Sequence, residues 1–198
     1  DSGCVDSTTQ KLVVNPTPQP AFSSTRPCFG DTTRFSDSST IGKGAITQYQ
    51  WQFGDGDSSL LQNPAHFYQK PGVYNTNLTV TSDSGCRASK TKQARVDSLP
   101  RVSFSIDSLI CKNQSYNLTN NSTIADSFQW QFGDGRTFNS KTPNHTYQDT
   151  GIYEVKLVAF NNYGCADSFS RQVRVIQKPD VSFSTNKDSF CGPTANVI

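Results

Sequence analysis

The sequence predicts an all-β protein made of tandem β-sandwiches. Aromatic residues alternate with glutamines at a period of about two, no segment sustains an apolar period of roughly 3.6 residues, and turn signals recur at short intervals. The chain is also self-similar, because residues 49–56 recur as residues 128–135, at an offset of 79 residues. A fixed internal period of this length is typical of repeated domains.

The repetition divides the chain into four segments. Downstream of the glutamine-rich strand the offset stays at 79 residues, whereas upstream it is 83, so we place an insertion in a loop near residues 42–45. We expect complete repeats at 16–97 and 98–177, the last strand of an earlier repeat at 1–15, and the opening of a later repeat at 178–198. Prolines mark the boundaries and favour short, semi-rigid connectors.

Each repeat contains well-marked strands. In the first repeat, Trp51 and Phe53 alternate with glutamines, which predicts one buried and one solvated face. A later strand alternates Leu78 and Val80 with polar residues, and a turn leads from it into a last strand that ends at Val96. Several short strands joined by regularly spaced turns predict a β-sandwich.

Composition excludes several classes of function. The 198 residues carry a formal net charge of only +2, too small for a general nucleic-acid-binding protein with a basic face. No run of about 18 apolar residues occurs, so no membrane span is expected in this segment. Hydrophobic residues make up 33% and aromatic residues 11%, which together indicate a folded protein with a polar surface.

A composite motif stands at matching positions in both repeats. It begins with Trp-x-Phe-Gly-Asp-Gly, continues through His-x-Tyr and ends with Gly-x-Tyr. Its members are Trp51, Phe53, Gly54, Asp55, Gly56, His66, Tyr68, Gly72 and Tyr74, and then Trp130, Phe132, Gly133, Asp134, Gly135, His145, Tyr147, Gly151 and Tyr153. This motif resembles the PKD domain, an immunoglobulin-like module. The resemblance covers essentially the whole chain and implies tandem immunoglobulin-like β-sandwiches in an elongated rod.

The motif residues suit structural roles in such a module. Trp51 is expected to fill the core between two sheets, and Asp55 to cap backbone N–H groups in a turn whose glycines take positive φ. The Gly-x-Tyr element is similar to a tyrosine corner. We expect His66 and His145 to make structural hydrogen bonds, because no nucleophile or orienting group accompanies them as catalysis would require.

Calcium is not expected at the position that some PKD domains use. Those domains carry Ser-x-Asp-x-Asp-Gly before the tryptophan strand, whereas residues 38–44 and 121–126 lack the paired aspartates. Hard cations need several oxygen ligands, usually carboxylates. Asp55 and Asp134 each stand alone between glycines, without the partner that a two-carboxylate mechanism needs. We therefore expect no metal, no cofactor and no catalytic residue, and leave calcium at a domain junction open.

The six cysteines indicate an oxidising, extracellular location, and their spacing is unlike that of zinc sites. Pairing within each repeat would join Cys28 to Cys86 and Cys111 to Cys165. In an immunoglobulin-like sandwich, however, the first strand ends ~30 Å from the last hairpin, whereas a disulfide needs Cα atoms about 4.4–6.8 Å apart.

We therefore expect one inter-repeat bridge, Cys28–Cys165. The remaining cysteines would then pair outside this sequence; they are Cys4, Cys86, Cys111 and Cys191. A distorted first strand would restore the pairing within each repeat.

Two classes of function remain open. The leading hypothesis is a non-catalytic extracellular spacer or adhesion array of a large bacterial cell-surface protein. The cysteine pattern is similar to PKD arrays of gliding bacteria, which implies gliding motility and type IX secretion. The alternative is an accessory module of a secreted hydrolase that binds carbohydrate or protein, with Tyr163 and Phe138 as stacking candidates. Expected partners are neighbouring repeats of the same chain and surface glycans or proteins, not nucleic acid. An enzyme in its own right is not expected.

Overall fold

Buried and exposed side chains alternate along the main strands of this chain, and the described structure is all-β. The computed structural model describes residues 3, 6–182 and 184. The chain divides into two compact units, one comprising 1–101, 123–126 and 159–167, and the other comprising 102–122, 127–158 and 168–198. In the described part of the chain, no helix is long and apolar enough to cross a membrane.

The first unit contains two antiparallel sheets. Its strands are β1 (Phe22–Ser24), β2 (Thr33–Asp37), β3 (Ile46–Gln52), β4 (Ser58–Ser59), β5 (Ala65–His66), β6 (Gly72–Ser82) and β7 (Arg87–Val96). One sheet has the order β1-β2-β5 and the other the order β4-β3-β6-β7. The longest pairing joins β6 to β7, whose register runs from Gly72 opposite Val96 to Thr81 opposite Arg87.

The core of the first unit is built around Trp51, which is fully buried. Phe22 meets its ring edge-on at 5.0 Å, and Phe35 lies 5.4 Å away. Both phenylalanines come from the β1-β2-β5 sheet, whereas Trp51 and Leu78 face each other across β3 and β6. Side chains from two sheets therefore share one core, which is the arrangement of a β-sandwich.

The second unit repeats this plan with more strand breaks. Its strands are β8 (Phe104–Ser105), β9 (Leu109–Cys111), β10 (Ser115–Asn117), β11 (Thr119–Asn120), β12 (Ser127–Gln131), β13 (Thr137–Phe138), β14 (Asn144–Thr146), β15 (Gly151–Phe160) and β16 (Ala166–Ile176). The main sheet has the order β13-β12-β15-β16-β9, and β10-β14 and β11-β8 form two smaller pairs. Trp130 is fully buried, and Phe104 meets it edge-on at 5.0 Å.

The first strand region of each repeat ends beside the last strand. In the second unit β9 pairs in parallel with β16, which places Cys111 opposite Ile176. In the first unit an isolated parallel bridge places Cys28 opposite Asp97. The two cysteines thus occupy matching positions, one in each repeat.

The predicted fold class is confirmed, since the structure is all-β and the predicted alternation fixes which side chains are buried. Gln50 and Gln52 are exposed on either side of the buried Trp51. Tyr49 departs from the strict pattern, because it is only partly buried at the edge of the core. Two of the cysteines named above, Cys4 and Cys191, lie outside the described residues.

Candidate functional site

The Gly-Asp-Gly turn follows the tryptophan strand in both repeats, and its first glycine is required by geometry. Gly54 has φ +90°, and a Cβ there would lie 2.7 Å from the carbonyl oxygen of Asn75. Gly133 has φ +78°, and a Cβ there would lie 2.9 Å from the carbonyl oxygen of Glu154. Any other residue at these two positions would be strained, because the backbone is left-handed and a Cβ would lie too close to a carbonyl oxygen.

The turn brings each motif aspartate onto the motif histidine. His66 Nε2 lies 2.7 Å from Asp55 Oδ2, and His145 Nε2 lies 3.0 Å from Asp134 Oδ2. The sequence assigned these residues separate structural roles and missed their contact. The signal that identifies it is the separation of 11 residues between aspartate and histidine, which is the same in both repeats.

Aromatic contacts hold each histidine in place. The His66 ring stacks on Phe53 at 4.1 Å with an interplanar angle of 5°, and the His145 ring stacks on Phe132 at 3.9 Å and 20°. The Tyr68 hydroxyl donates to the carbonyl oxygen of Phe53 at 3.0 Å. Such contacts order the turn against the core and leave the imidazole faces covered.

The second tyrosine of the motif closes a different turn. The Tyr74 hydroxyl donates to the carbonyl oxygen of Lys70 at 2.7 Å, and the Tyr153 hydroxyl donates to the carbonyl oxygen of Asp149 at 3.2 Å. A tyrosine hydroxyl that bonds to the backbone four residues upstream has the geometry of a tyrosine corner. These hydroxyls therefore stabilise the fold.

Burial and hydrogen bonding shift the pKa of one group in each Asp–His pair. Burial disfavours ionisation of Asp55, but hydrogen bonds from His66 and from the Asp57 amide outweigh it, so the pKa of that carboxyl lies below its usual value. Burial lowers the pKa of His145, against the opposing charge of Asp134. In the described part of the chain, the Nε2 atom of each histidine contacts its motif aspartate.

One group of side chains in the first repeat has ligand atoms close enough together to hold a cation. Ligand atoms of Asp55, Asp57 and His66 lie within 4.8 Å of one another. Asp55 already accepts hydrogen bonds from His66 and from the Asp57 amide, so its oxygens serve the turn. The second repeat carries Arg136 where the first has Asp57, so this group is not a property of the repeated motif.

An ion-pair cluster that the sequence did not predict lies at the end of β7. The Asp97 carboxylate is 3% exposed and accepts from Arg26 Nε at 2.6 Å and Arg26 Nη2 at 2.9 Å. Arg95 Nε donates to the same carboxylate at 3.0 Å. The guanidinium groups of Arg26 and Arg95 lie 4.2 and 5.0 Å from the ring centre of Tyr163. Tyr163 lies within residues 159–167, which belong to the first unit. The Arg26–Asp97–Arg95 cluster thus joins a buried carboxylate to an aromatic ring.

The two stacking candidates, Tyr163 and Phe138, both pack against other side chains. Tyr163 is 49% exposed, but arginine side chains already lie over its ring. Phe138 is 37% exposed and packs edge-on against Phe132 at 5.6 Å. Both rings therefore make contacts within the fold, in addition to their exposed area.

A disulfide joins Cys28 to Cys165, with Cα atoms 5.6 Å apart. This Cα distance lies inside the range of unstrained bridges, about 4.4–6.8 Å. The structure forms this pair and neither of the pairs within a repeat. Cys86 and Cys111 carry free thiols.

The solvent-facing side of the β3-β6-β7 sheet is a polar surface, here called the amide face. It is formed by Gln48, Gln50, Gln52, Asn77, Thr79, Thr81, Ser89 and Thr91. Asn77 Nδ2 donates to Thr91 Oγ1 at 2.9 Å, and Thr79 Oγ1 donates to Asn77 Oδ1 at 3.2 Å. A groove of about 470 Å³ runs along this face and is bordered by Leu60 and Arg87.

Comparison with known proteins identifies relatives of both repeats. The PKD domain family model matches residues 13–98 and 97–176. Collagenase ColA of Bacillus cereus is 33% identical over 72 residues, which are 36% of this chain and 8% of the collagenase. Pre-pro-metalloprotease PrtV of Vibrio cholerae is 23% identical over 143 residues, which are 70% of this chain and 16% of the metalloprotease.

Solved structures include single domains of the same kind. The PKD1 domain of Vibrio anguillarum Epp is 27% identical, with a TM-score of 0.41, and the match covers 43% of this chain and 99% of that domain. The chain spans 8% and 16% of the lengths of the two curated relatives above, so the shared region is a small part of each enzyme.

Proposed function

Because the chain belongs to the PKD domain family over both of its repeats, we propose that it is a non-catalytic, extracellular accessory module of a secreted hydrolase. The observation that carries this proposal is the kind of relative: a collagenase and a metalloprotease resemble the chain only over 8% and 16% of their lengths. For this reason we prefer the accessory role to the spacer or adhesion role in a bacterial cell-surface protein. Residues 16–97 and 98–177 are the two modules of this proposal.

A non-catalytic role agrees with how the motif side chains are used. Asp55 and His66 bond to each other, and the histidine ring is covered by Phe53. The same arrangement recurs at Asp134 and His145. Groups that are engaged in holding a turn are not free to exchange protons with a substrate.

We assign polymer binding to the amide face of the first repeat, with a fibrous protein as the ligand. Side-chain amides and hydroxyls at regular cross-strand spacing provide donors and acceptors to an extended chain laid across the strands. The second repeat lacks this surface, because Lys156, Val158 and Phe160 replace Asn77, Thr79 and Thr81 at an offset of 79 residues. The first repeat is therefore the binding module and the second repeat its natural comparison.

Co-sedimentation with insoluble collagen fibres tests the proposal. We expect saturable binding by the parent chain, and about tenfold weaker binding by the variant Gln50→Ala/Gln52→Ala. The matched control is Gln129→Ala/Gln131→Ala at the same positions of the second repeat, which is expected to bind as the parent does. Thr79→Val introduces the residue of the second repeat and is expected to weaken binding as well.

Two outcomes would contradict the assignment. If the first-repeat variant and the second-repeat variant weaken collagen binding equally, the amide face is not the binding surface. Failure of the parent chain to bind collagen, together with binding to an insoluble polysaccharide, would replace the protein ligand by a glycan.

A further inference from the structure

Two pairs of cysteines occupy matching positions in the two repeats, and only one member of each pair is bridged. Cys28 and Cys165 form the disulfide, whereas Cys86 and Cys111 are free. The free Cys111 occupies the position in the second repeat that Cys28 occupies in the first. The free Cys86 occupies the position in the first repeat that Cys165 occupies in the second.

Cys28 and Cys111 each lie beside the end of the last strand of their repeat. Cys28 forms a parallel bridge with Asp97, and Cys111 pairs in parallel with Ile176. The next residue makes the same backbone bond in both repeats: the Phe29 amide donates to Asp97 at 2.7 Å, and the Lys112 amide donates to Ile176 at 2.9 Å. We call this position the strand-end thiol.

Cys86 and Cys165 follow the same hairpin turn. The Ser82 amide donates to the Cys86 carbonyl at 2.9 Å, and the Asn161 amide donates to the Cys165 carbonyl at 3.0 Å. In return, the Cys86 amide donates to Ser82 Oγ at 3.1 Å, and the Cys165 amide donates to Asn161 Oδ1 at 3.0 Å. We call this position the hairpin thiol.

The Cys28–Cys165 bridge shows that a strand-end thiol of one repeat and a hairpin thiol of another are complementary. We propose that Cys86 and Cys111 are the two halves of a second such bridge, formed between molecules, with Cys111 of one copy of this chain joined to Cys86 of the next. Because the two halves differ, each copy offers one of each. The contact is head-to-tail and continues into linear chains.

The bond forms by ordinary thiol–disulfide exchange with a disulfide oxidant such as oxidised glutathione. One thiolate attacks the oxidant and forms a mixed disulfide, which releases the first molecule of reduced glutathione. The second thiolate then attacks the protein sulfur of that mixed disulfide, forming the Cys86–Cys111 bond and releasing the second molecule. Two protein thiols are oxidised and one glutathione disulfide is reduced, so the electrons balance.

Bridge formation in nature needs the oxidising, extracellular surroundings that the proposed function assumes. The experiment supplies the oxidant in the tube, so its result is independent of collagen binding and of location. Failure of the collagen experiment would therefore leave the thiol pairing untouched, and failure of the thiol experiment would leave the accessory role untouched.

The experiment uses the 198-residue chain with Cys4 and Cys191 replaced by serine. The protein is held at about 1 mM, comparable with the effective concentration that a short linker imposes on neighbouring repeats. It is incubated with oxidised and reduced glutathione and analysed by non-reducing gels. Cross-linked peptides are identified by mass spectrometry of mixed ¹⁴N- and ¹⁵N-labelled copies.

We expect this parent to form a reducible ladder of oligomers. Cys86→Ser alone and Cys111→Ser alone should stay mostly monomeric. An equimolar mixture of the two should stop at dimers, with about tenfold more dimer than either variant alone. The cross-linked peptide should join Cys86 to Cys111 and carry one label from each copy. The Cys28–Cys165 peptide in every sample confirms that each variant is folded.

Two results would overturn the proposal. One is dimerisation of Cys86→Ser through Cys111–Cys111 to the same extent as the mixture, which would show unselective oxidation. The other is a parent chain that keeps its Cys28–Cys165 bridge and stays monomeric under these conditions.

Discussion

Replacing Asp97 by asparagine removes one charge from the centre of the Arg26–Asp97–Arg95 cluster while keeping the side-chain size. The parent carboxylate is 3% exposed and accepts three hydrogen bonds, two from Arg26 and one from Arg95. Hydrogen bonds from Arg26 hold its pKa below the usual value, against the opposing effect of burial. Asp97→Asn leaves the guanidinium groups without the charge that they now neutralise.

The expected loss is about 2 kcal/mol in the free energy of unfolding at pH 7. Removing one partner of a fully buried ion pair costs about 3–5 kcal/mol. The estimate is lower here because the side chains of Arg26 and Arg95 are 44% and 46% exposed, so water solvates them in the variant.

The effect must also depend on pH. A carboxyl whose pKa is lowered by folding contributes stability above its unfolded pKa, which is about 3.9, and loses that contribution as pH falls through the folded value. The difference between parent and Asp97→Asn should therefore be full at pH 7 and should shrink steadily below about pH 4.

Urea unfolding followed by tryptophan fluorescence measures this difference. A Trp130→Phe background leaves Trp51 as the reporter of the first repeat, and Asp31→Asn at an exposed position is the control. Equal stability of Asp97→Asn and parent at pH 7, or a loss that persists unchanged at pH 3, would refute the electrostatic account of the cluster.

Three further predictions concern the motif. Gly54→Ala should destabilise the first repeat by more than about 2 kcal/mol because its Cβ meets the Asn75 carbonyl, whereas Gly56→Ala, where a Cβ meets open space, should cost only about 1 kcal/mol; urea midpoints compare them. Tyr68→Phe should lose about 1 kcal/mol with the hydrogen bond to Phe53, measured in the same way. Because burial lowers the pKa of His145, the second repeat should lose stability as pH falls below about 6.5, and His145→Gln should flatten that dependence in a Trp51→Phe background.

Features that repeat along the chain were predictable from sequence. Alternation around Trp51 and Trp130 predicted the strands and the buried face, because side chains of a strand point to opposite sides. The spacing of the motif also predicted a structural turn at Asp55. Its contact with His66 was missed because it depends on how the turn folds back over the core, which periodicity does not describe.

Features that occur once could not be found by comparing the repeats. Asp97 corresponds to Ile176 in the second repeat, and Tyr163 corresponds to Ser84 in the first. The Arg26–Asp97–Arg95 cluster therefore leaves no repeated signal, and Arg26 lies 71 residues from Asp97 in the chain. Only the folded structure brings the carboxylate, the guanidinium groups and the ring together.

The strand-end thiol of the first repeat, Cys28, bonds to the hairpin thiol of the second repeat, Cys165. Peptide mapping of dilute, alkylated protein under non-reducing conditions tests it most directly. We expect a linked peptide pair containing Cys28 and Cys165, with Cys86 and Cys111 recovered in alkylated form. Recovery of Cys28 linked to Cys86 would contradict it.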